Sequence, residues 1–492
     1  MDCREAVYSN DYWDFIAEYG QVRGLSSLGP CVQNINEQFS IAFVKNDPEQ
    51  QYNVRQFSYL AIPALYAPID TGALEASGIL RIQGQPTLSL NGQGVLVGFL
   101  DSGIDYENKV FRNTDGTSRI EAIWDQTIQT GIPPDGFLYG AEYRQSAINL
   151  ALESDTPTQV VPSVDATGHG TFVASVASGG ENTENNFIGA APYSKIAMVK
   201  LKEAKQYIKD FYFVGDSAVV YQENDIMAAI VYLNKLALEL NLPLIICISF
   251  GTNMGGHSGG GPLSLLLTQI VSLNMRAIVI GAGNEAAQRH HFYKEGFEEG
   301  KFENVEVNVG QDVRGFTAEL WARPPDLYSI EIVSPTGERG PKIPLALETS
   351  TEYNFVFENT TVTIDYRSDT PTGDQLIFMR FINPTAGLWN VRVYGEAVIQ
   401  GRFHIWLPMT AFHSGEVFFI RSDPEVTITS PGSEENAITV GAYNSADNSL
   451  YLNSGRGFTA VGTVKPEDGV IIGKSCRHKM LSCQPLICYN IT

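Results

Sequence analysis

The sequence predicts an α/β fold: a mostly parallel sheet with helices on both faces, interrupted by an inserted all-β sandwich. Three observations carry this. Between residues 92 and 284, unbroken apolar runs alternate with segments whose apolar residues recur at helical spacing. From about 304 to 422 the pattern changes to residue-by-residue alternation between turn signals. At Ala437-Ile438-Thr439-Val440-Gly441-Ala442-Tyr443 the unbroken apolar type returns.

Residues 1–30 read as a polar lead-in with one amphipathic turn around Tyr12, Trp13 and Phe15. A strand is expected at 39–44, followed by turns at Pro63 and Pro68; this 1–79 region is either an N-terminal extension or a pro-region-like element. Val95-Leu96-Val97-Gly98-Phe99-Leu100 forms the first apolar strand and ends at Asp101. A helix opens at His169 and carries Phe172, Val173, Val176 and Ala177 on one face. The strand at 195–201 and a helix near 224–240 follow. Leu244-Ile245-Ile246-Cys247-Ile248-Ser249-Phe250 is apolar enough to be covered on both faces, with Cys247 packing there as a free thiol. A helix near 263–274 leads into the strand ending at Gly281. Strands joined through helices must cross over, which makes the sheet parallel.

In the alternating stretch, strands are expected at 316–322, 328–333, 353–357, 361–366, 376–382, 388–394 and 403–407. Ile330 and Ile332 face one way and Glu331 the other; Trp389, Val391 and Val393 oppose Asn390 and Arg392. Seven such strands make a sandwich. The implied division is 1–79, 80–300 for the first part of the α/β domain, 301–428 for the insert, 429–466 for the resumed domain and 467–492 for a tail.

A formal net charge of -22 over 492 residues argues against nucleic acid and anionic membranes as partners. No apolar stretch approaches the roughly 20 residues that span a bilayer, and Met1-Asp2-Cys3-Arg4-Glu5 lacks the apolar core of a signal peptide. The expectation is a soluble protein without an export signal. Cys476, Cys483 and Cys488 crowd the end of the chain, in a spacing that matches no zinc-ligand pattern.

The chemistry sits at element ends. Asp101 closes a strand, His169 stands in Gly168-His169-Gly170-Thr171, and Asn284 follows Ala282-Gly283. Alone, an Asp ending a strand is often a helix cap, a His can be a core residue, and an Asn is commonly a turn residue. Gly116-Thr117-Ser118 reads as a turn, and His290-His291 as a solvated loop whose adjacent side chains point apart.

In this order, and each behind the right strand or helix, the segments 94–105, 165–177, 189–201, 246–251, 278–285 and 438–466 resemble the subtilisin-like serine proteases. The insert resembles the jelly roll of germination-type subtilases of spore-forming bacteria. The resemblance implies Asp101 and His169 as catalytic residues, Asn284 as an oxyanion donor, and Ser249-Phe250-Gly251 as backbone that pairs with an extended peptide. It implies a peptide or protein substrate and a spore-associated or cytoplasmic location. No cofactor is implied by the residues; relatives often bind calcium, yet no loop here spells such a site.

The resemblance also implies a nucleophilic serine in Gly-Thr-Ser-x-Ala-x-Pro, and the 492 residues contain no such segment. After Lys465-Pro466 the chain turns basic and cysteine-rich at Lys474-Ser475-Cys476-Arg477-His478-Lys479. Two readings stand: an out-of-frame tail, or a truncated relative that binds a peptide or a partner protease without cleaving. A third places the function in the sandwich, as a carbohydrate- or protein-binding module. Reading the nucleotide sequence in the other frames after Pro466 separates the first two; a frame that encodes the serine motif is expected for an out-of-frame tail, and its absence from every frame rules that tail out.

Overall fold

The structure is a computed structural model. It describes residues 12–18, 31–34, 39–45 and 83, then 90–471 except 129, 138, 184–186, 205–208, 210–211, 217, 222, 260–261, 345–348, 369–372 and 445–448. The chain separates into two compact units. In the first, β1 (Tyr12–Glu18), β2 (Cys31–Asn34) and β3 (Phe39–Lys45) form an antiparallel sheet in the order β1-β3-β2. Tyr12, Trp13 and Phe15 therefore lie on a strand, not on the amphipathic turn their spacing suggested. Paired to Phe39-Ser40-Ile41-Ala42-Phe43-Val44, the segment gains ladder hydrogen bonds that an isolated turn cannot supply.

In the second unit, the strands β4 (Leu96–Asp101), β5 (Ile120–Asp125), β6 (Ala141–Arg144), β7 (Lys195–Lys200), β8 (Leu244–Ile248) and β9 (Arg276–Gly281) belong to one sheet. Helices α1 (Gln145–Glu153), α2 (Pro157–Val160), α3 (His169–Ser178), α4 (Glu223–Glu239) and α5 (Pro262–Val271) connect them. Val97 and Phe99 of β4 pack with Val173 and Val176 of α3, while Leu96 and Leu100 pack with Ile230 and Leu233 of α4. Successive residues of one strand thus feed two cores, which is why the strands read as unbroken apolar runs. The sheet is mostly parallel, with helices on both faces.

The insert begins earlier than its alternating pattern shows. The strand β10 (His291–Lys294) already pairs antiparallel with a sandwich strand, ten residues ahead of the expected boundary at 301. After it come β11 (Phe302–Val309), β12 (Gly315–Ala322), β13 (Leu327–Val333), β14 (Thr349–Phe355), β15 (Thr360–Ser368), β16 (Gln375–Ile382), β17 (Gly387–Ala397), β18 (Phe403–Trp406) and β19 (Val417–Phe419). A six-stranded sheet, β10-β18-β12-β16-β15-β14, faces a four-stranded one, β13-β17-β11-β19. Trp389, Phe316, Phe381, Phe355 and Tyr328 fill the space between them. The seven strands expected here are all present; β10, β11 and β19 join them.

The chain then returns to the first sheet through β20 (Ile438–Asn444), which pairs parallel to β9 and also with β21 (Ser449–Leu450) and β22 (Asp468–Ile471). Sheet order is β21-β20-β9-β8-β4-β7-β5-β6, with β22 on β20. Two further expectations are corrected. Cys247 is buried but disulfide-bonded, not a free thiol. His290 and His291 are 5% and 1% exposed, not solvated, because β10 carries them into the seam between sandwich and sheet. Among the described residues no helix is long and apolar enough to cross a membrane.

The sandwich core rests on Trp389, fully buried, edge-on to Phe355 and Phe381, with its indole N–H donated to the Thr385 carbonyl. Trp389→Ala is expected to cost about 3–5 kcal/mol of sandwich stability, as large-to-small core changes do, and calorimetry of the full chain checks it.

Candidate active site

Asp101 stands at the carboxyl end of β4, flanked by β7 and β8, where a parallel sheet leaves a crevice. It is 4% exposed, so its charge needs donors. His169 Nδ1 lies 2.7 Å from Oδ1 and 2.9 Å from Oδ2. The Ser102 amide donates to Oδ1 at 2.7 Å, and the Ser249 hydroxyl to Oδ2 at 2.6 Å. With Nδ1–H engaged by the carboxylate, the neutral ring presents Nε2 as its free lone pair. The hydrogen bond to Asp101 raises the His169 pKa above its usual value, against the opposing pull of burial, with further help from the charges of Asp101 and Asp165.

His169 is where it is because α3 begins there. Gly168 caps the helix at φ 73°, in the left-handed region. Gly170 lies so close to the Gly103 carbonyl and to Asp101 Cβ that a side chain at this position would collide with the end of β4. Asp165 ties the helix start together: it accepts from the Gly168 and Thr171 amides, both at 2.9 Å, and from the Thr171 and Ser102 hydroxyls at 2.7 and 2.8 Å. Burial works to raise the Asp165 pKa, but these hydrogen bonds outweigh it and hold the carboxyl below its usual range. Ser102 closes the loop by accepting the Gly170 amide at 3.0 Å. The sequence pattern singled out neither Asp165 nor this use of Ser102; Asp165 lies three residues ahead of the Gly168 N-cap, outside the position where a capping side chain is sought.

Asn284 follows β9. Because β9, β8 and β4 are neighbours in the sheet, their ends are spaced by roughly 5 Å each, and Asp101, Ser249 and Asn284 emerge along one edge. Asn284 Oδ1 is buried without a hydrogen-bond partner among the described residues. Ser249-Phe250-Gly251 continues from β8. The Ser249 hydroxyl is committed to Asp101, and Phe250 packs against the apolar core. Only backbone is left at these positions to meet a ligand.

Thr429, in the chain returning from the sandwich, sits between the two segments. A Cβ on Gly251 would strike its hydroxyl, and one on Gly283 would lie 2.5 Å from its methyl. The Thr429 amide donates to the Ala282 carbonyl at 3.1 Å, and Thr252 and Ser430 exchange backbone hydrogen bonds. Beside Asn284, Glu285 is buried and accepts from His290 Nδ1 at 2.7 Å and from the Asn253 amide at 3.0 Å. Gly116-Thr117-Ser118 forms a turn, with Ser118 buried and bridged to Arg112. Among the described residues no group of three or more His, Cys, Asp or Glu is placed to hold a metal ion.

Residues 92–306 match the profile of the subtilase family. Among solved structures, the chain is similar to the Clostridium perfringens CspB protease at 29% identity, over 81% of this chain and 80% of that one, with a TM-score of 0.70. Sphericase matches at 22% identity over 42% of this chain and 52% of that one, with a TM-score of 0.26. No curated protein matches. Residues 92–306 are thus similar to a subtilase domain, and the chain has a subtilisin-like fold.

The Asp101–His169 pair sets a measurable titration. In NMR spectra of the full chain the His169 imidazole is expected to titrate above 6.5, and Asp101→Asn to bring the midpoint down by about one pH unit or more through loss of the carboxylate.

Proposed function

We propose that this chain is the scaffold of a subtilisin-type serine endopeptidase, of the germination-type group with a jelly-roll insert. In this reading Asp101 orients and stabilises the base, His169 is the base, and Asn284 is the oxyanion donor. The observation that carries it is the bifurcated contact of the single His169 Nδ1–H with both oxygens of a buried carboxylate at the end of a central parallel strand. This contact fixes the tautomer that leaves Nε2 able to accept a hydroxyl proton and return it to a leaving amine. Asn284, one strand beyond Ser249, has an amide suited to a developing oxyanion, a donor worth roughly 3–4 kcal/mol in subtilisin itself. The 249–251 backbone supplies an edge on which an extended peptide adds as a strand. Similarity to the CspB protease over 81% of this chain, more than the parallel-sheet parts alone provide, supports the sub-group.

The second reading is favoured by a specific observation: no Gly-Thr-Ser-x-Ala-x-Pro segment occurs in the 492 residues. A polypeptide of this sequence is expected to bind an extended peptide and leave it intact. In subtilisin, loss of the serine alone costs on the order of a millionfold in turnover. A fluorophosphonate probe together with fluorescein-labelled casein tests both. Saturable casein binding without labelling, weakened by changes at 249–251, is the expected result. Labelling would show a working serine and remove the binding-only reading; no casein binding and no labelling would remove both.

A further inference from the structure

Five of the seven histidines, His257, His290, His291, His404 and His413, gather where the sandwich meets the parallel-sheet domain. His257 is the member that reaches toward the cleft. It belongs to the loop 252–259, which continues directly from Ser249-Phe250-Gly251. Its ring is 2% exposed and stacks on Trp406 of β18 at 4.2 Å and 9°. Nδ1 lies 2.8 Å from the Ile428 carbonyl and Nε2 3.0 Å from the Asn253 carbonyl. Its own carbonyl accepts the Ala460 amide at 3.1 Å, and its backbone takes φ 49°, in the left-handed region that non-glycine residues occupy uncommonly. One residue therefore joins the loop, the sandwich and the return segment next to Thr429.

The rest of the loop is held from the same side. The Gly255 amide donates to Glu319 of β12 at 2.9 Å, and the Asn253 side-chain amide donates to the Leu407 carbonyl at 3.2 Å. Without these ties a glycine-rich loop has many conformations to lose when a peptide binds.

We infer that His257 is a positioning residue for the peptide-binding edge: by clamping the loop 252–259 onto Trp406 and the Ile428 carbonyl, it holds the 249–251 backbone in register for a ligand. This rests on the peptide-binding reading above. His257 touches no reacting group and acts through the loop.

Its chemistry gives the role a pH signature. A neutral imidazole has one N–H, so it can donate to only one of the two carbonyls and turns a lone pair to the other. Burial lowers the His257 pKa while the two carbonyls work to raise it. Around it stand His291 and His404 on β10 and β18, Glu319 on β12, and Glu285 with His290 beside Asn253. Burial and the nearby His257 push His291 down to about 3. His257 and His291 are thus neutral in the docked seam and take up protons more readily when it opens. Each opposes docking by up to tenfold per pH unit below about 6.5.

Two measurements on the full chain test this. Hydrogen–deuterium exchange of the wild type, His257→Ala and His257→Phe should show faster exchange at 252–259 in both variants, with the sandwich core unchanged. His257→Phe keeps a ring on Trp406 and guards against a failure to fold. Binding of fluorescein-labelled casein at pH 7.5 should weaken about tenfold in His257→Phe. Wild-type binding should fall steeply between pH 6.5 and 5, and the fall should be shallower in the variant. Unchanged exchange at 252–259 in folded variants overturns the inference, as does a wild-type affinity flat across that range with variants binding equally well. Should the wild type bind no casein at any pH, the peptide-binding reading fails, and the exchange data alone decide whether His257 holds the loop.

Discussion

The buried carboxylate of Asp101 organises the site. A charge this far from water is stable only when surrounded by donors, and here the donors come from three separate parts of the chain: the next residue's amide, the Ser249 hydroxyl after β8, and the His169 ring at the start of α3. Satisfying that one group fixes the distance between two adjacent strands and a helix. Gly170 permits the close approach that the short His169 contact requires. Asp165 makes the helix start rigid enough for the ring to stay there. The geometry needed for proton transfer is thus a by-product of meeting an electrostatic demand.

The sandwich is bound into the same logic. It leaves the α/β domain just after Asn284 and comes back through Ile428, Thr429 and Ser430, between Gly251 and Gly283. Entry and exit of the insert therefore border the two segments that would frame a bound peptide. An insert placed elsewhere on the fold could vary without consequence. One placed here couples ten strands of packing to the loop after β8, where Glu285 accepts from the Asn253 side-chain amide and Glu319 of β12 from the Gly255 amide.

Much of this was legible in the sequence, for a physical reason. Strands buried on both faces cannot hide their apolar run, and an Asp, His or Asn at a strand or helix end sits next to the glycines that let backbone segments meet. The unbroken apolar runs before Asp101 and Asn284 therefore marked the sheet and its edge. What escaped was decided by tertiary partners. His290 and His291 read as solvated because two adjacent histidines are polar, and only the pairing of β10 with β18 and the carboxylate of Glu285 make their burial tolerable. Tyr12, Trp13 and Phe15 became a strand because β3 offered a ladder. Cys247 looked free because a disulfide cannot be deduced from spacing. Asp165 was missed because its role depends on hydrogen bonds from both ends of a helix turn and from a different strand.

The two histidine sets respond to pH in opposite directions. His169 has a raised folded pKa, so the stability it lends is fully present below about 6.5 and is lost as pH rises through the elevated value. His257 and His291 have lowered folded values; theirs is present above about 6.5 and is lost as pH falls toward the folded values. Acid therefore strengthens the Asp101–His169 contact while weakening the seam that supports the neighbouring loop, and base does the reverse. In the proposed reading His169 is a base and must be unprotonated to accept a proton, which pushes the range upward from the point where the seam closes. Under that reading both requirements are met together only from near neutrality into mildly alkaline conditions, and the window follows from where three imidazoles sit, His257 and His291 in the seam and His169 at the start of α3.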